Sequence, residues 1–258
     1  MPLVEARVDV AMREGVVSLT LNDPARGNVL SRALCGQLTA AVRAANDDSA
    51  ARLILIRAHG RAFCAGADLQ DLKAAAGGDT AAVQAVYDAF MAVADSPLPT
   101  VALVQGPAVG AGMNLALACD VRFVTGDARF DTRFLQIGLH PGGGHAWMLQ
   151  RAVGWQQAAR LLLLGQVADA AEALRLGLAA ARIDDEAGLL DACAKAAAAP
   201  RELLLRTKRS MRLAVGGQTH DEAYRHETGQ QLWSLQQDAF TALVERLQRQ
   251  LAAGKEAR

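Results

Sequence analysis

An α/β fold with a helical C-terminal region is the class this 258-residue sequence predicts, and three observations predict it. Strand-like and helix-like stretches alternate over residues 53–124. Two strand-like runs, 53–57 and 101–104, empty into loops of small residues. Past residue 140 the pattern turns helical. Strands alternating with helices call for parallel pairing and right-handed crossovers. The length suits one α/β domain with a sizeable core and a helical tail.

The elements follow in order. Residues 7–21 read as a strand pair: Val8, Val10 and Met12 alternate, Glu14-Gly15 turns, and Val16-Val-Ser-Leu-Thr-Leu21 returns. Asn22-Asp-Pro24 breaks the pattern. Ser31 caps a helix that carries Leu34, Leu38, Ala41, Val42 and Ala45 on one face and ends at Asn46-Asp-Asp-Ser49. Strand 53–57 comes next. A helix near 79–95 carries Val83, Val86, Tyr87, Phe90 and Val93, and Pro97 and Pro99 fence it from strand 100–104. A loop leads into helix 111–118, and Val121-Arg-Phe-Val124 is a strand. Helices are predicted near 144–152, 155–164, 169–176, 186–198, 200–213 and 220–252. Trp147 and Met148 are expected to pack the first of these. No internal repeat is visible.

Composition narrows the function classes. Lys and Arg total 27, as do Asp and Glu, so no electrostatic case exists for nucleic acid or an anionic membrane. No long uncharged apolar run suggests a membrane span. The first seven residues lack a leader pattern. Four scattered cysteines, Cys35, Cys64, Cys119 and Cys193, lack metal spacing and read as free thiols of a reducing cytoplasm. No metal site is expected, since a His140/His145 pair has no evident third ligand. Gly142-Gly-Gly144 lacks the lysine and hydroxyl residue of a phosphate-binding P-loop.

The informative stretch is Arg61-Ala-Phe-Cys-Ala-Gly-Ala-Asp-Leu69. Its small residues let a ligand press against bare backbone. Gln105-Gly-Pro-Ala-Val-Gly-Ala-Gly112 repeats the theme after a second strand. Two strand exits that each bare an N–H suggest a two-donor oxyanion hole. Together with Pro24-Ala-Arg-Gly-Asn-Val-Leu30, Gly110-Ala-Gly-Met-Asn-Leu-Ala-Leu-Ala-Cys-Asp120, Gly138-Leu-His-Pro-Gly-Gly-Gly144 and Ala170-Ala-Glu-Ala-Leu-Arg-Leu-Gly-Leu178, these stretches resemble the crotonase (enoyl-CoA hydratase/isomerase) superfamily, in its order and over nearly the whole chain.

The resemblance implies a spiral of repeated ββα units over 1–198 and a helical trimerisation region over 199–258, giving a homotrimer or hexamer. It implies an acyl-CoA or enoyl-CoA thioester as partner, with coenzyme A arriving as part of the substrate and no permanently bound cofactor. By motif, Ala67 and Ala111 supply the oxyanion-hole N–H groups. Residue 111 opens a helix, so its N–H is unsatisfied within the helix and sits at the positive end of the dipole. Ala65, Gly66, Asp68, Leu69 and Gly110 line the CoA path, although Asp68 reads equally as a cap. Arg26 and Lys208 match basic positions suited to CoA. Each reads alternatively as an exposed surface cation.

The catalytic positions depart from the hydratase pattern. Asn114 and Phe134 stand where hydratases resemble one another in carrying glutamate. Hydration requires one group to take a proton from water and one to protonate the α-carbon. An amide orients water but cannot accept its proton. His140 is the best substitute acid or base, with His145 behind it and the alternative that each only fixes a turn. Asp131 and Arg133 are expected to pair at the pocket wall. His220 and His226 read as surface residues. Three functions follow: hydratase/isomerase chemistry on an oxyanion-stabilised enolate, non-catalytic acyl-CoA binding, or isomerisation or hydrolysis through His140.

Overall fold

The computed structural model describes the backbone of residues 6–256 and the side-chain surroundings of residues 6–250. Most of the N-terminal stretch examined above for a leader pattern, residues 1–5, lies outside the described residues. The chain divides into two compact units, residues 1–198 and 199–258.

The first unit begins with the hairpin β1 (Arg7–Arg13) and β2 (Val16–Asn22), followed by α1 (Arg32–Asp47) and β3 (Leu53–Ala58). Ser31 caps α1, its hydroxyl accepting from Leu34 N–H at 3.3 Å. Then come α2 (Leu69–Ala76), α3 (Ala81–Asp95), β4 (Thr100–Val104), β5 (Pro107–Val109), α4 (Ala111–Ala118), β6 (Val121–Val124) and β7 (Arg129–Asp131). After these, α5 (His145–Leu163), β8 (Ala168–Asp169), α6 (Ala170–Arg175), β9 (Ala181–Arg182) and α7 (Glu186–Ala197) complete the unit.

The strands form a six-stranded sheet in the order β1-β2-β3-β4-β6-β9 and a three-stranded sheet in the order β5-β7-β8. In the larger sheet only the β1–β2 pair is antiparallel; β2–β3, β3–β4, β4–β6 and β6–β9 are parallel. Parallel strands covered on both faces read as continuous apolar runs. Accordingly, Leu19, Leu21, Ile54 and Ile56 have no exposure at all. Each such side chain contributes about 1.5–3 kcal/mol of burial. A separate cluster joins Val16, Leu53, Leu55 and Val101 to Leu189 and Cys193 of α7.

Four expectations for the first unit need correcting. Helix α2 went unread because its two turns bury no side chain and so carry no apolar stripe. The three-residue strand β5 was expected to be loop. It forms because its partner β7 arrives from outside, Ala108 opposite Phe130. Helices predicted at 144–152 and 155–164 are one element, α5, broken at Gly154 (φ 76°, ψ 165°). Trp147, expected in packing, is 61% exposed beneath the Arg151 guanidinium, 4.4 Å from its ring centre.

The second unit holds α8 (Arg201–Val215), α9 (His220–Leu235) and α10 (Asp238–Glu256). The single helix predicted over 220–252 is two, because the N–H groups of Gln236 and Gln237 fold back onto Trp233 and Ser234 carbonyls at 3.2 Å. Thr219 and Glu222 form a reciprocal capping box at the start of α9. Arg206 of α8 lies 3.9 Å over the Trp233 ring and donates to Gln230 at 2.9 Å. Among the described residues no helix is long and apolar enough to cross a membrane.

Candidate active site

The two small-residue loops of the first unit meet. Cys64 N–H donates to Pro107 O at 3.1 Å and Val109 N–H to Cys64 O at 2.9 Å, forming a one-rung parallel bridge between Cys64 and Ala108. On its other side the first loop is tied to the 24–30 segment. Ala65 N–H donates to Gly27 O at 2.9 Å and Leu30 N–H to Gly66 O at 2.8 Å. The contact is close enough to exclude side chains. A Cβ on Gly66, whose φ is +103°, would stand 2.9 Å from Val109 O, and one on Gly112 would stand 2.2 Å from Cys64 O. Sterics therefore dictate glycine at both positions.

This junction leaves two donors unused. Among the described residues, neither Ala67 N–H nor Ala111 N–H has a hydrogen-bond acceptor. Ala111 is the first residue of α4, where the free N–H groups and the helix dipole together favour negative charge. Gly110 N–H is held by Asp131 O at 2.9 Å, which fixes the entry to that helix. Residues 112–118 are all buried, so α4 cannot shift without disturbing the core.

Both free N–H groups belong to residues that line one cavity of about 590 Å³. Its walls are mainly apolar: Leu69 and Leu72 of α2, Val86 and Tyr87 of α3, and Phe134, Ile137 and Leu139 beyond β7. Ala65, Gly66, Gly110, Asn114, Arg133 and His140 also line it. Such a pocket, apolar with a few convergent polar groups, suits a small-molecule ligand. Arg133 (φ +57°) pairs with the buried Asp131 carboxylate, its Nε donating at 2.9 Å, as the sequence led one to expect. That carboxylate raises the Arg133 pKa by hydrogen bonding and charge.

Three predicted CoA contacts lie apart from the cavity lining. Arg26 pairs with Asp68 and lies 3.7 Å from Asp23. Asp68 also caps α2, accepting from Gln70 N–H at 2.9 Å. Lys208 is 7% exposed on α8, so the surface-lysine alternative is a misreading. An amphipathic stem with a single charge carries no sequence signal for burial. His226 is half-buried against Ser210 Oγ at 3.0 Å.

Polar groups at the cavity floor are arranged differently from expectation. His140 is exposed at the rim, with Nδ1 2.8 Å from Pro141 O. Asn114, buried on α4, donates from Nδ2 to Gly142 O at 3.0 Å, while its Oδ1 meets Nδ1 of His145. His145 has no exposure, and the Phe134 ring packs edge-on to it with centres 4.9 Å apart. Burial pushes the imidazole pKa down to about 4, so the ring is neutral near pH 7. Sequence reasoning ranked His145 behind His140. It also missed Asn28, a buried clamp whose Nδ2 reaches His59 O and Ala62 O, both at 2.9 Å. Its positive φ of 57°, common only for Asn and Asp among non-glycines, was the available hint. Among the described residues no cluster of three His, Cys, Asp or Glu side chains is placed to hold a metal.

Paired loops, a central buried helix and a helical second unit define an α/β protein of the crotonase type. The family profile described as Enoyl-CoA hydratase/isomerase matches residues 11–254, and the chain belongs to this family of enzymes. It is 46% identical over 235 residues to the Mycobacterium tuberculosis protein named "Probable enoyl-CoA hydratase EchA14", covering 88% of this chain and 91% of that one. It is 34% identical over 180 residues to the 1,2-epoxyphenylacetyl-CoA isomerase of Escherichia coli, covering 68% and 69% of the two chains. The solved enoyl-CoA hydratase of Polaromonas sp. JS666 superposes with a TM-score of 0.84 at 25% identity, covering 93% of this chain and 97% of that chain.

Proposed function

We propose that this chain acts on an acyl-CoA or enoyl-CoA thioester by stabilising an enolate in an oxyanion hole made by Ala67 and Ala111. One observation carries the reading: two unpaired backbone N–H groups, on two loops locked to each other, belong to residues that line one apolar cavity. A thioester carbonyl between them gains negative charge as its α-carbon is deprotonated. Preorganised donors stabilise that charge by about 3 kcal/mol each, going by oxyanion-hole deletions elsewhere. The apolar walls take the acyl chain and shield the enolate from water. Coenzyme A enters as part of the substrate. Arg26 remains the proposed phosphate contact, and Lys208 is a proposed contact to CoA by family resemblance alone. Exposed apolar residues of α10, such as Leu243 and Leu247, support an oligomer, a trimer or hexamer by family resemblance. Free, buried cysteines support a reducing, cytoplasmic setting.

The acid–base step is assigned to His140. Pro141 O can only accept, so Nδ1 of His140 carries a hydrogen and Nε2 is left to exchange protons with ligand at the rim. With Asn114 and Phe134 in place of the carboxylates expected in hydratases, proton transfer without net water addition is the favoured outcome. A second reading, acyl-CoA binding without turnover, is supported by the same two residues. Incubation with enoyl-CoA and saturated acyl-CoA esters in deuterated water, followed by mass, separates the outcomes. Deuterium gain without water supports enolisation or isomerisation. Added water shows hydration through another base. Free CoA shows hydrolysis. Unchanged esters together with measured binding leave the binding-protein reading.

A further inference from the structure

We propose that His145 is a positioning residue that fixes the Asn114 amide through its oxygen, so that Asn114 meets a bound acyl group with its remaining Nδ2–H, as a hydrogen-bond donor. The assignment follows from the atoms. Gly142 O accepts only, so the end of the Asn114 amide 3.0 Å from it is Nδ2. The other end is therefore Oδ1, and it faces Nδ1 of His145. An amide oxygen accepts only, so Nδ1 carries the hydrogen. The ring is neutral, for burial holds its pKa at about 4, and Nε2 is a bare acceptor. Among the described residues that Nε2 has no hydrogen-bond partner.

A buried, unpartnered acceptor is destabilising, and an apolar side chain would fill the same space without it. Packing alone therefore does not account for a histidine here. Its Nδ1–H does: it is the group that pairs the Asn114 oxygen and so fixes which way the amide points. The ring stands outside the cavity lining, so it acts through Asn114. Its approach to α4 depends on the glycine run, since a Cβ on Gly142 would stand 2.2 Å from Tyr87 Oη and one on Gly143 2.2 Å from Phe90 Cζ. Asn114 has one remaining Nδ2 hydrogen after serving Gly142 O. The acyl group it meets must carry an acceptor there, such as a carbonyl, enolate or ether oxygen. This last step rests on the acyl-thioester reading above; the tautomer does not.

Nitrogen-15 NMR of the histidine rings in the full chain tests the assignment, with His145 identified by a His145→Asn variant. The expected signature at pH 7 is a protonated Nδ1 and a bare Nε2. A protonated Nε2 overturns the proposal whether or not any thioester is turned over. Kinetics then test the role. His145→Leu keeps bulk but removes the donor, and kcat should fall on the order of 10-fold to 100-fold with KM little changed. His145→Asn, which places an amide N–H near the lost Nδ1–H, should recover most of that loss. A purely structural role predicts the reverse order, with leucine the better replacement, and that result also overturns the proposal. If the wild-type chain neither binds nor alters any acyl-CoA ester, the acyl-thioester reading falls, and with it the donor role toward an acyl group. The ring signature still decides the tautomer.

Discussion

The two sides of the cavity are built from different materials. One side is backbone: the Ala67 and Ala111 N–H groups, set by glycines whose replacement would collide with carbonyl oxygens. The other side is side chain: Asn114 and Phe134 line it, and the buried His145 behind them contacts both. A backbone donor survives almost any substitution that preserves the loop. A side-chain acid or base is lost in one. A family can therefore keep its electrostatic stabilisation of an enolate while its proton chemistry changes, which is the pattern proposed here.

The largest expected effect would break the backbone side. Ala111→Pro removes that N–H at a first helical position, where proline is well tolerated. Turnover should fall by about 10²–10³ in kcat while the thermal midpoint stays nearly unchanged. An equal loss of kcat and midpoint would show that the loop, and not the donor, had been lost.

Next comes acid, which acts on the side-chain side. His145 titrates near 4 when folded against an ordinary 6.5. The unfolded chain thus binds a proton that the native chain refuses as pH falls from about 6.5 towards 4. Stability is fully present above that window and decreases through it, by about 3 kcal/mol for this one group. Urea titrations at pH 7.5 and pH 4.5, compared between wild type and His145→Leu, isolate the contribution. A wild-type decrease no larger than the variant's would remove His145 as its source.

Gly66→Ala should cost about 1–3 kcal/mol, because its Cβ meets Val109 O at 2.9 Å and its φ is +103°. Both stability and turnover should drop together, in contrast with Ala111→Pro. The smallest change is Asp68→Ala. Losing the α2 cap should cost about 1 kcal/mol, with little from the exposed pair to Arg26. Calorimetry would show this, and an unchanged KM would agree with Asp68 lying outside the cavity lining.

Much of the backbone side was legible in the sequence. Small residues after a strand signal a close backbone approach, and Ala67, Ala111 and their glycines fall within a few positions of one another in each loop. Ser31, with its apolar repeat at Leu34, Leu38 and Val42, marked α1 by local rules alone. Helix α2 and strand β5 were not legible, since neither carries a periodic pattern of its own. Trp147 illustrates the same limit: its apolarity predicted packing, but exposure depends on what lies opposite.

What the sequence by itself determined is the order of those strands and helices that carry a periodic pattern, the two glycine-bearing loops, and the presence of Asn114 and Phe134 where carboxylates were expected. These are statements about local propensity and residue chemistry. What only the tertiary structure decided is which polar groups act together. Asn114 and His145 are separated by 31 positions and meet because α4 is buried in the core and the glycine run lies against α3. Burial then removes the charge from His145, leaving His140 the exposed histidine at the rim. Hydrogen-bond direction and desolvation are properties of a three-dimensional neighbourhood, and no linear pattern of residue types carries them.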